Sequence, residues 1–466
     1  MSKLLPSLKE AVTQSGLEDG MTISFHHHLR NGDFVLNMVC AQLAEMGFRN
    51  LTINASSIHE SHAPLVAHLK TGVVTGIETN YMGSAVGRYV SEGNMENPVI
   101  FRTHGGRPSD IENGSSHIDV AFIGAPSSDC MGNCTGKLGK SACGSLGYAF
   151  ADAMYADKVI VITDNLMPYP LSEFSISEIY VDYVVEVDSI GEPSGIASST
   201  TRMTRDPIAL LIADYAAKVI QHSGLLKDGF AFQTGAGGAS LAVAAGLKAI
   251  MLDEGIRGSY CMGGITGYTV DLLECGCFET LMDVQCFDLR AVESLRKNSR
   301  HIEVTASHYA SPTAKSCLAN GLDAVILGAT QIDTDFNVNV HTDSQGYIMG
   351  GSGGHSDTAA GAKLSIIVAP LTRARLPLIT ERVNCISTPG STVDVLVTQT
   401  GIAVNPIHPD LSTRLLEVGL PVVDIHSLKE AVEQISGKPN RTAPKGKVVA
   451  KVLYRDGSVI DTIRNV

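Results

Sequence analysis

Four short stretches concentrate the residue types that can do chemistry. Thr22–Asp33 reads TISFHHHLRNGD, three imidazoles and a guanidinium behind a short apolar run. Phe101–Asp110, FRTHGGRPSD, sets Arg102, His104 and Arg107 around two glycines. Phe232–Ser240, FQTGAGGAS, and Gly350–Asp357, GGSGGHSD, offer nearly bare backbone. Guanidinium forks fit carboxylates in bidentate geometry. His28, Arg30, His104 and Arg107 are therefore candidates for holding an anionic substrate; the alternative is hydrogen bonding that only pins loops. In Thr234, Gly235, Ala236, Gly237 and Gly238, a glycine turn enters a helix. Small residues there let a ligand approach the backbone, and the helix start offers N–H groups to an anion. The amides of Gly353 and Gly354 can point into a concave nest, an arrangement suited to the oxyanion of acyl transfer.

Other chemistries fit poorly. Consecutive side chains on an extended segment point opposite ways, so at most His26 and His28 share a face, too few for a metal. Cys130 and Cys134 flank three residues and Cys275 and Cys277 flank one, neither of which is the gap of a structural zinc site; we expect no metal. FQTGAGGAS lacks both the dinucleotide fingerprint and the P-loop Gly-Lys-Ser/Thr. GKSACGSLG lacks the spacing of a serine nucleophile elbow. Asp333, Asp335 and Asp343 do not form a calcium loop.

The elements that must position these residues repeat. Glycines, 46 among 466 residues, follow apolar runs such as VAFIGAP, AFQTGAGG and AVILGAT, the strand–loop–helix rhythm of a parallel α/β sheet. LEDGMTISFHHHLRNGD, from Leu17, matches LKDGFAFQTGAGG, from Leu226. HIDVAFIGAPSSD, His117–Asp129, matches GLDAVILGATQID, Gly321–Asp333. We expect two related α/β domains, residues 1–215 carrying the anionic-substrate side and 216–466 the thioester side. In this alignment His26–Arg30 occupies the place of Gly235–Ala239. After Asn440 a polar linker and a hairpin turning at Asp456–Gly457 are expected within the second domain. Leu4, Leu5 and Leu8 suit a short amphipathic helix.

Apolar residues are 44% and charged residues 18%, a globular balance. Net charge is −13 with no basic stripe, which argues against nucleic acid. No apolar run reaches the ~18 residues that span a bilayer, so no membrane role is expected. No export signal is evident; a cytoplasmic chain with reduced thiols is expected. A mean hydropathy of +0.12 points to apolar surface buried between subunits, hence a homo-oligomer.

QTGAGG, GGSGGHSD and STPGSTVDVLVTQTGIAVNP resemble the CoA-transferase superfamily. ISFHHHLRNGD, FRTHGGRPSD, SSTTRMTRDP and SGGHSDTAAGAKL are similar, over essentially the whole chain, to the citrate lyase α-subunit family. The resemblance implies a transferase that exchanges acetyl for citryl on a carrier-protein thiol. The implied partners are citrate, an acyl carrier protein (γ subunit) bearing a phosphoribosyl-dephospho-CoA arm, for which acetyl-CoA can stand in, and a β subunit that cleaves the citryl thioester. Most CoA-transferases of this fold attack the thioester with a glutamate. Its place here falls at Gly263 and Gly264, and no Glu occurs between Gly258 and Asp271. Direct attack by citrate, through a mixed anhydride, is the implied route. Arg202 is a further candidate for citrate. The rival readings are a citramalate lyase α subunit and a non-catalytic subunit that only docks the carrier.

Overall fold

The structure, a computed structural model, describes residues 2–197, 203–438 and 446–466. Arg202 and the linker at 440–445 lie outside the described residues. Two large, mainly parallel sheets carry the chain. The first takes β1 (Thr22–Phe25), β2 (Leu51–Ala55), β3 (Val74–Thr79), β4 (Val99–Phe101), β5 (Val120–Gly124), β6 (Lys158–Thr163) and β7 (Tyr183–Glu186). The second takes β8 (Ala231–Thr234), β9 (Gly258–Ile265), β10 (Phe278–Cys286), β11 (His301–Glu303), β12 (Ala324–Leu327), β13 (Ser365–Val368) and β14 (Val395–Thr398), with β15 (Gly401–Val404) antiparallel at its edge. The spatial orders are β4–β3–β2–β1–β5–β6–β7 and β11–β10–β9–β8–β12–β13–β14. They are the same topology, as the repeat predicts.

The matched residues do matched work. Asp19 Oδ1 accepts from Arg49 N–H, and Asp228 Oδ1 from Arg257 N–H. Asp119 Oδ2 accepts from the N–H of Thr22 at the head of β1, and Asp323 Oδ2 from that of Ala231 at the head of β8. Each short acidic side chain ties one strand start to its neighbour, satisfying a backbone donor that burial would otherwise strand. The strands are rich in buried Val, Ile and Phe because both faces of a parallel sheet are covered; Phe230, Phe232 and Phe278 pack together with centroids 6.0–6.4 Å apart.

Three expectations are corrected. Leu4–Leu5 is extended and pairs with β7; Pro6 disfavours helix in the residue before it, and the helix starts at Leu8, capped by Ser7. The helix Pro207–His222 runs across the expected boundary at 215 and packs on the helix Gly238–Glu254, where Gly246 allows close approach to Ala217. The hairpin of β16 (Val448–Leu453) and β17 (Val459–Arg464) does turn at Asp456–Gly457, but it extends the first sheet by pairing β16 with β4. It covers an edge that would otherwise present unpaired backbone groups.

The two sheets meet through glycines. A side chain on Gly144 would overlap Cys286, and one on Gly147 would meet the carbonyls of Val284 and Val304. Leu146 N–H donates to Glu303 Oε1 at 2.6 Å, and Ala306 N–H to Gly147 O at 2.8 Å. GKSACGSLG is thus the first half's contact with the second. GGSGGHSD makes the reciprocal contact.

Candidate active site between the two halves

On the second half, β8 ends at Thr234 and the loop to Gly237 opens the 17-residue helix Gly238–Glu254. Thr234 Oγ1 donates to Ser240 O at 2.9 Å and closes the loop. Ala236, Gly237 and Gly238 line a cleft of about 790 Å³ with Gly351, Ser352, His355, Arg373 and, from the first half, Tyr81. The loop glycines leave room: a Cβ on Gly235 or Gly237 would meet nothing closer than 3.5 Å.

Deeper in, β9 and β10 slip register between Gly263 and Gly264. Gly263 has φ +99°, a conformation that favours glycine. A Cβ there would press on the Gln233 amide, and one on Gly264 would overlap the Phe287 ring. Gln233 and Phe287 therefore occupy the space that a glutamate would need. Gln233 Nε2 donates to Tyr309 Oη at 3.2 Å, while its Oε1 is buried without a partner among the described residues.

The loop GGSGGHSD locks onto FRTHGGRPSD of the other half. His104 N–H donates to Gly353 O at 2.8 Å. Asp357 accepts from Thr103 Oγ1 at 2.8 Å and Gly105 N–H at 2.9 Å, with Arg455 of the C-terminal hairpin 3.8 Å away. Burial raises the Asp357 carboxyl to about 6, against those hydrogen bonds. This docking corrects the reading of Gly353: its N–H donates to Asn80 O at 3.2 Å. The Gly354 N–H has no partner among the described residues. His355 is held by Gly328 O at 2.8 Å and Thr388 Oγ1 at 2.7 Å.

The first half brings a cluster of rings to this junction, of which Tyr81 lines the cleft. His27 stacks on His104 and Tyr148 at 5.6 and 4.8 Å, and His59 packs at a tilt against His27 and Tyr81 at 5.6 and 5.4 Å. His27 Nδ1 pairs with Ser56 Oγ at 2.7 Å, and its carbonyl accepts from Gln285 Nε2 of the second half at 2.9 Å. Burial holds all of these imidazoles neutral: His26 falls to about 4, His104 to about 3, and His27, His28 and His59 well below the usual value. His59 Nε2 and His104 Nδ1 are buried without partners among the described residues.

Two expected ligands are otherwise engaged. His28 Nε2 accepts from Tyr148 N–H at 3.2 Å, and its Nδ1 contacts His26 Nδ1, so neither nitrogen is left for a substrate. Arg107 gives four of its five N–H groups to Asp152 Oδ1 and Oδ2, Asn54 Oδ1 and Asn54 O, at 2.7–3.3 Å. Its charge is neutralised by Asp152. Arg30 differs. It is largely buried, sits 4.7 Å over the Phe287 ring, donates once to Ile196 O, and pairs with no carboxylate among the described residues. Its φ of +51° is strained for a residue with a side chain.

Residue reasoning missed His59, Tyr81, Tyr148, Phe287 and Tyr309. None belongs to a motif; only Gln233, inside FQTGAGGAS, carried a local signal. All ten cysteines are free thiols. Among the described residues, His117, Asp119 and Asp157 group closely enough to hold a metal, and no helix is long and apolar enough to cross a membrane.

Two facing parallel α/β sheets with a cleft between them define the class. The α subunit of a malonate decarboxylase from Acinetobacter baumannii shares the fold at 15% identity, with a TM-score of 0.69 over 94% of each chain. The chain belongs to the citrate lyase alpha subunit (CitF) family, whose model matches residues 1–466. It is 50% identical to the citrate lyase alpha chain of Klebsiella pneumoniae, over 100% of this chain and 91% of that one, and 49% identical to that of Escherichia coli, with the same coverage. A structure of the alpha subunit of citrate lyase from Streptococcus mutans in complex with citrate superposes with a TM-score of 0.98 at 50% identity, over 100% of this chain and 92% of that one.

Proposed function

We propose that this chain transfers the carrier thiol of citrate lyase from acetyl to citryl, by direct attack of citrate on the acetyl thioester. One observation carries the reading: Arg30, a part-buried guanidinium with no carboxylate partner among the described residues, lies over the Phe287 ring that fills the space beside Gly264, where a glutamate nucleophile would otherwise stand. A citrate carboxylate supplies the nucleophile. It adds to the acetyl carbonyl and expels the thiolate, leaving acetyl-citryl anhydride. The thiolate then adds to the citryl carbonyl and releases acetate. Atoms and charge balance without an acyl-enzyme.

The residues divide accordingly. Arg30 pairs with one of citrate's carboxylates, and the unpartnered nitrogens of His59 and His104 bind its other polar groups. Arg107 and His28 hold the wall in shape. The cleft from Ala236 to Gly238 takes the pantetheine arm of acetyl-CoA or of the carrier; the room beside Gly235 and Gly237 supports that fit. The Gly354 N–H binds the tetrahedral oxyanion. Neutral imidazoles suit this site because they donate hydrogen bonds without adding charge, so that Arg30 alone sets where an anion binds.

Incubation with acetyl-CoA, hydroxylamine trapping and mass spectrometry test the route. The expected result is no glutamyl adduct and citryl-CoA formation that requires citrate. A stoichiometric adduct on any glutamate overturns direct attack. Binding of acetyl-CoA without exchange, in complex with carrier and β subunit, overturns the transferase reading itself. Turnover of citrate against citramalate sets the substrate.

A further inference from the structure

We infer that Tyr309 is the second oxyanion donor, acting with the Gly354 amide; this rests on the transferase reading above. A carbonyl under attack needs donors placed where its oxygen gains charge. Of the expected pair Gly353 and Gly354, only the second amide is open, because the Gly353 N–H is bound to Asn80 O. Tyr309 lies in the helix Ala306–Ala310 and is 3% exposed. Its Oη sits directly against Gly354, since a Cβ added to that glycine would overlap it.

The hydrogen-bond logic leaves the phenol proton unused. Gln233 Nε2–H donates to Tyr309 Oη at 3.2 Å, so Gln233 supplies the hydrogen of that bond. The phenol's own hydrogen meets no acceptor among the described residues. Gln233 in turn packs on Gly263. A continuous line therefore runs from the glutamate's place, through Gln233 and Tyr309, to the Gly354 amide. Burial raises the Tyr309 phenol well above its ordinary value, so it is protonated throughout the working range.

The step balances. A citrate carboxylate oxygen bonds to the acetyl carbon, and the carbonyl π pair moves to oxygen. Tyr309 O–H and Gly354 N–H donate hydrogen bonds to that oxygen. The carbonyl re-forms as the C–S bond breaks and thiolate leaves. Tyr309 keeps its proton at every stage, and the same pair serves the second addition.

The test is Tyr309→Phe, which keeps the ring and removes the donor, assayed for acyl exchange between acetyl-CoA and citrate. We expect kcat to fall about 100-fold or more, with the KM for citrate and for acetyl-CoA and the thermal midpoint close to wild type. A kcat within about threefold of wild type overturns the inference. Fluorotyrosines incorporated at 309 give a second readout that survives any folding defect of the Phe variant: kcat should follow phenol acidity, and a flat series overturns the inference. Either failure alongside an active wild-type chain leaves the transferase reading intact; an inactive wild-type complex sinks that reading instead.

Discussion

The two faces of the cleft are built on sheets of the same strand order and present opposite surfaces. Where the first half has His26–Arg30, the second has Gly235–Ala239. The first face is crowded with buried rings around one unpaired cation. The second is backbone, with open space beside Gly235 and Gly237. A small polyanion needs a fixed charge and directed donors, whereas a long flexible thioester arm needs shape and room. In the function proposed above each loop serves one substrate, while the sheets beneath share one strand order. Proteins that share a fold differ in their sites in the same way.

The largest effect should come from the cation. Arg30→Ala removes the one guanidinium of this wall that lacks a carboxylate partner among the described residues. We expect the citrate KM to rise about 100-fold, in line with the ~2–5 kcal/mol of a desolvated charge pair, while acetyl-CoA binding measured by calorimetry stays unchanged. Equal loss on both substrates would mean that the faces do not divide the labour. Arg107→Ala provides the contrast. It strands buried Asp152, so its expected effect is on the denaturation midpoint.

A second experiment asks whether the missing glutamate is a real vacancy for chemistry or a filled space. Gly264→Ala drives a methyl into Phe287, the ring that carries Arg30. Overpacking of this kind costs about 1–3 kcal/mol. The citrate KM should rise with it, because the ring cannot move without the guanidinium. Restored citrate affinity in the double variant Gly264→Ala, Phe287→Leu would instead show that Arg30 does not depend on the ring.

How much of this was legible beforehand follows from range in the chain. The strand–glycine–helix rhythm and the paired Asp19/Asp228 and Asp119/Asp323 signals are local, and they predicted the duplicated sheets. The turn at Asp456–Gly457 was equally local. The hairpin's place beside β4 depends on pairing Ala450 with Val99, and no local pattern encodes that. The same limit explains the site. Arg30 and the glycine loops sit in compact motifs, but Tyr309, His59 and Phe287 are single residues brought in by separate elements. His28 and Arg107 have the right chemistry for an anion, and only their partners, Tyr148 N–H and Asp152, show that they are engaged.

Acid should separate the halves. Five neutral buried imidazoles line the first-half face, His26, His27, His28, His59 and His104; the second half holds His341, lowered to about 3, and His355, lowered to about 4. A folded value below the unfolded 6.5 means that stability is complete above pH 6.5. It is lost as pH falls, because the unfolded chain takes up protons that the folded chain refuses. Each such histidine contributes a slope of about 1.4 kcal/mol per pH unit in that window. Asp357, raised to about 6, acts in the opposite sense below that pH. Hydrogen exchange between pH 7 and 5 should therefore show protection failing first around β1, β2 and β4. Simultaneous loss in β8 and β9 would contradict the asymmetry. His104→Phe should flatten the urea-midpoint slope.

The smallest effect is the most diagnostic. Most glycines near the cleft are explained by packing: Gly264 by Phe287, Gly354 by Tyr309, Gly105 by Ala310 O. Gly237 has no such reason. Its φ of −71° and ψ of 150° suit any residue, and the nearest atom to an added Cβ is Ser240 Oγ at 3.8 Å. Folding alone would accept alanine there, with a gain of about 0.4–1 kcal/mol from a less flexible unfolded chain. Gly237→Ala should thus raise the thermal midpoint slightly while raising the KM for acetyl-CoA and leaving that for citrate alone. A stabilised variant with wild-type thioester kinetics would mean that the arm does not pass over this loop. A destabilised one would mean that the glycine serves the fold after all.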